Sequence, residues 1–209
     1  YLKRYESFEA NPIYLDSAFQ FLRSSTDNFT NYIQYYYLKS DKKGLINFVM
    51  SNPIDSTKYT KSNLALAYSR MGEVFASKGL DKDADTYFKK GIHLMPFVMD
   101  YKIKYGSFLL KYNRKEDAIK VFNQAKKLNP TIKEIYLNLA YISILNRDFI
   151  TAENSLKQAI ALDPDYVLAY ENLVLSARLQ NKDKEVKFYL NKILEIAPVH
   201  KAKQILENL

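Results

Sequence analysis

Four prolines recur along the chain at a constant interval. Pro96, Pro130, Pro164 and Pro198 stand 34 residues apart. A constant period of this length is typical of repeat proteins, in which each repeat is one supersecondary unit that packs on its neighbours. The prolines divide the chain into four repeats, numbered 1 to 4, which span residues 65–98, 99–132, 133–166 and 167–200.

Further positions agree when the repeats are aligned on these prolines. Small or slender residues stand twelve positions before each proline, namely Ala84, Ala118, Ala152 and Val186. Large apolar residues stand eight positions before, namely Phe88, Phe122, Leu156 and Leu190. Mostly small residues stand 24 positions before, namely Gly72, Gly106, Ala140 and Val174. Small residues let two helices approach closely while the larger ones fill the space between them, so each repeat is predicted to be an antiparallel helix pair.

The apolar residues of each repeat also have helical spacing. In repeat 3 the first run contains Leu137, Ala140, Tyr141 and Ile144, and the second contains Ala152, Leu156, Ala159 and Ile160. Turns between the two helices are predicted where a residue tolerates the left-handed conformation that ends a helix, at Gly79, Asn113, Asn146 and Asn181. Each proline follows a second helix, which it cannot continue.

These columns resemble the tetratricopeptide-repeat (TPR) family over residues 65–200. Asn138-Leu139-Ala140 matches the first helix of the family motif, and Ala152, Leu156, Ala159 and Leu162-Asp163-Pro164 match the second. The resemblance implies an all-α, right-handed superhelical solenoid of antiparallel helix pairs. The strict period and the Leu-Asp-Pro ending speak against the related pentatricopeptide repeats, which usually bind RNA.

Both ends of a repeat array must be covered, because an end repeat lacks one neighbour. Residues 201–209 are predicted to be a C-terminal capping helix, with Ala202, Ile205, Leu206 and Leu209 on its apolar face. Residues 1–64 form a divergent helical segment, interpreted either as a degenerate repeat or as a helical cap. Helices are predicted to begin near Asn11, Asn28 and Asp41, and one long helix is predicted over residues 56–78.

The resemblance also implies where a partner binds. In TPR proteins the first helix of each repeat lines a concave groove that commonly holds a peptide or a helix. By position, this groove is lined by Arg70, Glu73, Ile103, Lys104, Ser107, Leu137, Asn138, Tyr141, Glu171, Asn172 and Leu175. Asn138 and Asn172 occupy the position where family members bond a peptide backbone, although asparagine is also simply common there.

Apolar residues of the groove give a second indication of a partner. Leu137, Tyr141, Ile144 and Leu175 are expected to be partly exposed in an empty groove, and an exposed apolar strip usually marks a binding surface. The alternative is that superhelical packing buries them. The family's clamp for chaperone C-termini needs Lys and Asn one turn apart in one repeat and a Lys and an Arg in a following one. No repeat of this chain fits that pattern, so such tails are not expected to bind.

Positive charge is concentrated in repeat 2, whose eight basic and three acidic residues sum to +5. The basic residues are Lys102, Lys104, Lys111, Arg114, Lys115, Lys120, Lys126 and Lys127. They are interpreted as a solvated surface, with a basic patch for an acidic partner, a phosphate-bearing ligand or a membrane surface as the alternative. No interleaving of aromatic and basic residues favours specific nucleic-acid binding.

The sequence carries no recognisable catalytic or cofactor-binding motif. It has no Cys, so thiolate metal sites and Cys nucleophiles are excluded, and His93 and His200 lack companions at metal-ligand spacing. No run of about 18 apolar residues predicts a membrane span. The chain is therefore predicted to be a non-enzymatic scaffold that binds a protein or peptide, in the cytoplasm or periplasm, with its oligomeric state left open.

A second hypothesis concerns the chain's context. The chain begins at Tyr1 and not at Met, which favours a processed form or a part of a longer polypeptide. On this hypothesis it is a regulatory or scaffolding segment of a larger, membrane-tethered bacterial enzyme or secretion component.

Overall fold

A computed structural model describes residues 41, 43–44, 46–47, 60–198 and 201–207 of the chain. The chain divides into two compact units, an N-terminal unit of residues 1–112 and a C-terminal unit of residues 113–209. The N-terminal unit contains helices α1 (Lys61–Ser77), α2 (Asp81–Leu94) and α3 (Met99–Lys111). The C-terminal unit contains α4 (Lys115–Leu128), α5 (Lys133–Leu145), α6 (Phe149–Leu162), α7 (Val167–Leu179), α8 (Asp183–Ile196) and α9 (Ala202–Glu207). No strand occurs among these residues, which confirms the all-α prediction.

The start of the first described helix differs from the prediction. A single helix over residues 56–78 is wrong, because Thr60 is extended (φ −67°, ψ 149°) and caps α1 through its hydroxyl, which accepts from the Asn63 N–H at 3.2 Å. The predicted capping role of Asp41 is confirmed, since its carboxylate accepts from the Gly44 N–H at 2.8 Å. The helices predicted to begin near Asn11 and Asn28 lie outside the described residues.

A close approach of α1 and α2 organises the core of the N-terminal unit. Gly72 of α1 faces the buried ring of Phe88, and a Cβ atom at Gly72 would lie 2.8 Å from the ring's Cγ. The Phe88 ring in turn packs on Tyr105 and Phe108 of α3, with centroid separations of 5.8 and 5.3 Å. The absence of a side chain at Gly72 therefore provides the space that the Phe88 ring occupies.

The C-terminal unit packs its helix pairs with side chains of different volumes at the same two columns. Ala140 of α5 shares a core cluster with Leu156 of α6. The residues that occupy these two alignment columns in the other repeats are buried as well. In the next helix pair Val174 of α7 shares a cluster with Leu190 of α8. The glycine of this column is thus replaced by alanine or valine where the opposing residue is a leucine and not a phenylalanine. Ala202 of α9 completes the last cluster, so α9 covers the end of the described array.

The turns inside the repeats correct one predicted position. Gly79, Asn113 and Asn181 have positive φ angles of 76°, 58° and 56°, as predicted. In repeat 3 the left-handed residue is Arg147 (φ 59°), whereas Asn146 has φ −88°, so the assignment to Asn146 is wrong. Arg147 lies seventeen residues before Pro164, which is the same column as the other three. The backbone geometry follows the repeat register and not the local preference of asparagine.

The pairing of Gly72 with Phe88 predicts a coupled pair of substitutions. We expect Gly72→Ala to destabilise the protein by about 1–3 kcal/mol, because the added methyl group meets a buried ring. The double variant Gly72→Ala/Phe88→Leu recreates the combination found at Ala140 and Leu156, so its loss should be smaller than the sum of the two single losses. Urea unfolding of all four proteins measures this coupling. Additive losses would contradict it.

The left-handed Arg147 predicts a stabilising substitution. A side chain other than Asn or Gly is disfavoured at this conformation by about 1–2 kcal/mol, so Arg147→Asn should raise the free energy of unfolding by up to about 1 kcal/mol. Arg147→Ala is the matched control, because it removes the same charge but keeps a residue that is poorly suited to positive φ. Equal urea midpoints for the Asn and Ala variants would show that the backbone is not strained there.

Candidate functional site

Helices α5 and α7 of the C-terminal unit contact one another and carry six of the eleven residues assigned to the binding groove in the sequence. Tyr141 and Leu175 occupy the same column of their repeats and are 40% and 39% exposed. Leu137 is half-buried against the core of repeat 3. Ile144 follows the alternative of burial by packing, because this side chain is 2% exposed and belongs to the cluster formed with α6.

An apolar surface runs along these two helices. On α5 it comprises Tyr141 and Leu145, and on α7 it comprises Leu168, Leu175 and Leu179. Intervals of four and seven residues place these side chains on one side of each helix. All five are between 39% and 49% exposed, and we refer to them together as the apolar stripe.

Asn138 and Asn172 interrupt the apolar stripe at equivalent positions. The side-chain amide of Asn138 donates to the Glu134 carbonyl oxygen at 2.7 Å, and that of Asn172 donates to the Leu168 carbonyl oxygen at 2.8 Å. Each carboxamide is therefore fixed to its own helix one turn back. No donor among the described residues reaches either side-chain oxygen, so both oxygens are available as acceptors.

The N-terminal unit has a different surface at the same columns. Arg70 and Lys104 replace the two asparagines, and Glu73 and Ser107 replace Leu175 and Tyr141. The Lys104 ammonium lies 2.8 Å from the Glu73 carboxylate and 3.1 Å from that of Asp100. Burial works against the charged form, but the hydrogen bonds to these two carboxylates raise the pKa of Lys104 above its usual value. Within that unit the equivalent surface is thus a set of ion pairs and not an apolar stripe.

Four of the eight basic residues of repeat 2 are engaged by neighbours in their own unit. Lys102 is buried, at 5% exposure, and its ammonium donates to the Pro96 carbonyl oxygen. Lys104 is paired within the N-terminal unit, and Arg114 forms an ion pair with Asp117 at 2.9 Å in the C-terminal unit. Lys126 lies 4.9 Å from the ring centroid of Tyr136. The buried Lys102 departs from the solvated-surface interpretation, whereas the engagement of Lys104, Arg114 and Lys126 speaks against a patch of free cations.

The burial of Lys102 has a counterpart in repeat 3. Tyr136 occupies the same column, and its hydroxyl donates to the Pro130 carbonyl oxygen at 2.8 Å. The column reads Tyr68, Lys102, Tyr136 and Tyr170 in the four repeats. Lys102 therefore replaces a tyrosine and satisfies the same carbonyl, while burial lowers the pKa of its ammonium.

A pocket of about 310 Å³ lies between α7, α8 and α9 at the end of the C-terminal unit. Val174, Leu190, Ile193 and Ala202 form its buried apolar floor. Its remaining lining residues are Glu171, Asn172, Leu175, Arg178, Lys201 and Ile205. We call it the end pocket, and it adjoins the apolar stripe because Leu175 belongs to both.

Sequence reasoning placed Glu171, Asn172 and Leu175 in the groove but missed Arg178 and the contribution of α9. One signal was available in the sequence. The column of Arg178 holds Ala76, Leu110 and Ile144 in the other repeats, so a charged residue there departs from an apolar pattern.

Two other kinds of site were sought in the described part of the chain. There, no three His, Asp or Glu side chains come together as a metal site would require. His93 is exposed on α2, and His200 lies outside the described residues. None of the described helices combines the length and the apolar character needed to cross a membrane.

Comparison with known proteins identifies the repeats. A family model described as a tetratricopeptide repeat matches residues 100–132 and 133–166. A search of curated protein sequences gave no match.

Solved structures give the fold. The chain is similar to a MamA protein at 22% identity, covering 85% of this chain and 94% of that one, with a TM-score of 0.65. It is similar to YrrB, described as a TPR protein with an unusual peptide-binding site, at 18% identity, with 95% and 100% coverage and a TM-score of 0.63. It is also similar to PilW, described as a type IV pilus biogenesis factor, at 21% identity, with 88% and 86% coverage and a TM-score of 0.66. At these identities the likeness establishes a shared fold.

The role of Lys102 predicts the effect of restoring the column. We expect Lys102→Tyr to stabilise the protein at neutral pH by about 1 kcal/mol, because a neutral hydroxyl replaces a buried charge and keeps a donor for Pro96. Lys102→Met is the control, since it fills similar volume but leaves that carbonyl without the donor. Urea unfolding should rank the tyrosine variant above the methionine variant. The reverse order would mean that a donor to the Pro96 carbonyl adds nothing to stability.

Proposed function

We propose that this chain, which is a tetratricopeptide-repeat protein, holds a peptide segment of another protein on the exposed face of α5 and α7. The TPR fold supports a protein–protein interaction scaffold, and the proposal concerns where and how the partner binds. It rests on one observation above all, the apolar stripe of Tyr141, Leu145, Leu168, Leu175 and Leu179.

The energetics favour a partner over solvent at this face. Five large apolar side chains, each at least 39% exposed, lie together on two contacting helices. Covering them with a partner removes apolar surface from water, which is favourable by roughly 25 cal/mol for each Å² buried. Contiguous apolar surface of this kind marks interaction sites more often than isolated exposed residues do.

The two asparagines supply the polar part of the site. Their side-chain oxygens are acceptors on a surface that is otherwise apolar, and their orientation is fixed by bonds to Glu134 and Leu168. An extended peptide exposes backbone N–H groups that need acceptors, and pre-oriented acceptors spare part of the entropy cost of binding. The proposed binding residues are therefore Leu137, Asn138, Tyr141, Asn172 and Leu175, with Glu171 at the edge.

The likeness to YrrB supports the proposal at the level of the fold, since that TPR protein has a peptide-binding site. Arg70, Glu73 and Lys104 contribute less on this view, because Lys104 is already paired with Glu73. Membership of a larger, membrane-tethered assembly stays a second hypothesis, for which the likeness to PilW is an analogy of fold.

The proposal predicts a surface-specific loss of binding. Peptides are selected on the parent protein from a phage-displayed library of random dodecamers, and their affinities are measured by fluorescence anisotropy. Tyr141→Ser/Leu175→Ser should weaken the selected peptides more than tenfold, because about 1.5–3 kcal/mol is associated with burying each large apolar side chain. Asn138→Ala and Asn172→Ala should each weaken them about twofold to tenfold.

The control substitutions remove apolar side chains that are exposed elsewhere on the C-terminal unit. Ile150 and Phe188 are 78% and 56% exposed and lie on α6 and α8. Ile150→Ser/Phe188→Ser should leave the affinities unchanged. If this control weakens binding as much as Tyr141→Ser/Leu175→Ser, or if the latter has no effect, the α5–α7 face is not the binding site.

A further inference from the structure

The end pocket combines an apolar interior with an uncompensated positive charge. Three charged side chains line it, and two of them neutralise each other, because the Lys201 ammonium lies 2.9 Å from the Glu171 carboxylate. Across residues 60–198 and 201–207, no carboxylate lies within ion-pair distance of the third, Arg178. The pocket therefore presents one net positive charge beside its apolar floor.

The position of Arg178 sets it apart from the other surface cations. Its column is apolar in repeats 1 to 3, where Ala76 and Ile144 are 8% and 2% exposed. In repeat 4 the next element is the six-residue helix α9, which leaves the pocket open beside this column. A guanidinium thus stands where the repeat pattern places an apolar side chain.

The dimensions of the pocket limit what enters it. About 310 Å³ accommodates one large apolar side chain with space at the entrance, and it is too small for a helix. Leu175 connects the pocket to the apolar stripe, and Asn172, with its oriented carboxamide oxygen, also lines it. A peptide bound along the apolar stripe therefore extends into the adjoining end pocket.

We propose that the end pocket selects peptide segments in which a large apolar residue adjoins an aspartate or glutamate. The apolar side chain occupies the floor formed by Val174, Leu190 and Ile193, and the carboxylate pairs with the Arg178 guanidinium. Arg178 is then a specificity-determining residue, because a charge-assisted pair rewards acidic peptides and repels basic ones. This inference rests on the proposed function, since it concerns the end of the same binding face.

A double-mutant cycle between protein and peptide tests the charge pairing. The dodecamer library is panned in parallel against the parent, Arg178→Gln and Arg178→Glu, after circular dichroism has established equal helicity. The parent should enrich apolar–acidic pairs, and Arg178→Glu should enrich apolar–basic pairs. A parent-selected peptide should bind Arg178→Gln about tenfold more weakly. Replacing its acidic residue by the matching amide should weaken binding to the parent but not to Arg178→Gln.

Two further variants separate the parts of the pocket. Arg147→Gln is the matched control, because it removes an exposed guanidinium of the same unit that does not line the pocket, and it should leave affinity unchanged. Ile205→Ala reduces the apolar lining and should weaken binding severalfold while leaving the preference for acidic residues intact.

The outcomes distinguish this inference from the proposed function. Peptides that depend on Tyr141 and Leu175 but are indifferent to Arg178 would overturn the inference alone, and Arg178 would then be a solubilising residue at the end of the array. Failure of the library to yield any peptide that binds the parent would overturn both.

Discussion

The approach of the two helices in a repeat is the constraint on which the rest of the structure depends. In the N-terminal unit Gly72 leaves room for the Phe88 ring, which then carries the contact onward to Tyr105 and Phe108. In the C-terminal unit the same two columns hold Ala140 with Leu156 and Val174 with Leu190. Glycine thus stands opposite phenylalanine, and the larger alanine or valine stands opposite leucine, so packing constrains the two columns jointly.

Because the core columns alone determine how the two helices pack, the sequence of the outer face of each repeat's first helix is free to vary. Its columns hold Arg70, Glu73 and Lys104 in the first two repeats, and Asn138 and Asn172 among apolar residues in the last two. In the N-terminal unit Lys104 forms an ion pair with Glu73, and in the C-terminal unit the same helix face carries exposed leucines. A repeat protein can therefore specialise one part of its surface without disturbing its core, because the two sets of columns do not share residues.

The sequence predicted the helices well because its period and its columns describe buried contacts that every repeat must make. Errors arose where one residue departs from its column. Asn146 has the better intrinsic preference for the turn, yet Arg147 adopts the left-handed conformation, because the register of the repeat fixes which residue ends the helix. Ile144 shares helical spacing with Tyr141 but lies toward α6, so it is buried. The end pocket was not predictable, since it depends on how α9 packs against the last pair.

Lys102 and Arg178 show that a charge enters an apolar or aromatic column for two different physical reasons. Lys102 lies within the array, where burial penalises its ammonium, and it is tolerated because its flexible stem delivers the charge to the Pro96 carbonyl. Arg178 is exposed on the last described helix pair, where it lines the end pocket and its guanidinium stays in contact with solvent. The first departure is compensated by a partner inside the protein, so its effects are confined to stability. The second has no such partner among the described side chains, so it is the charge on which the proposed selection of acidic peptides depends.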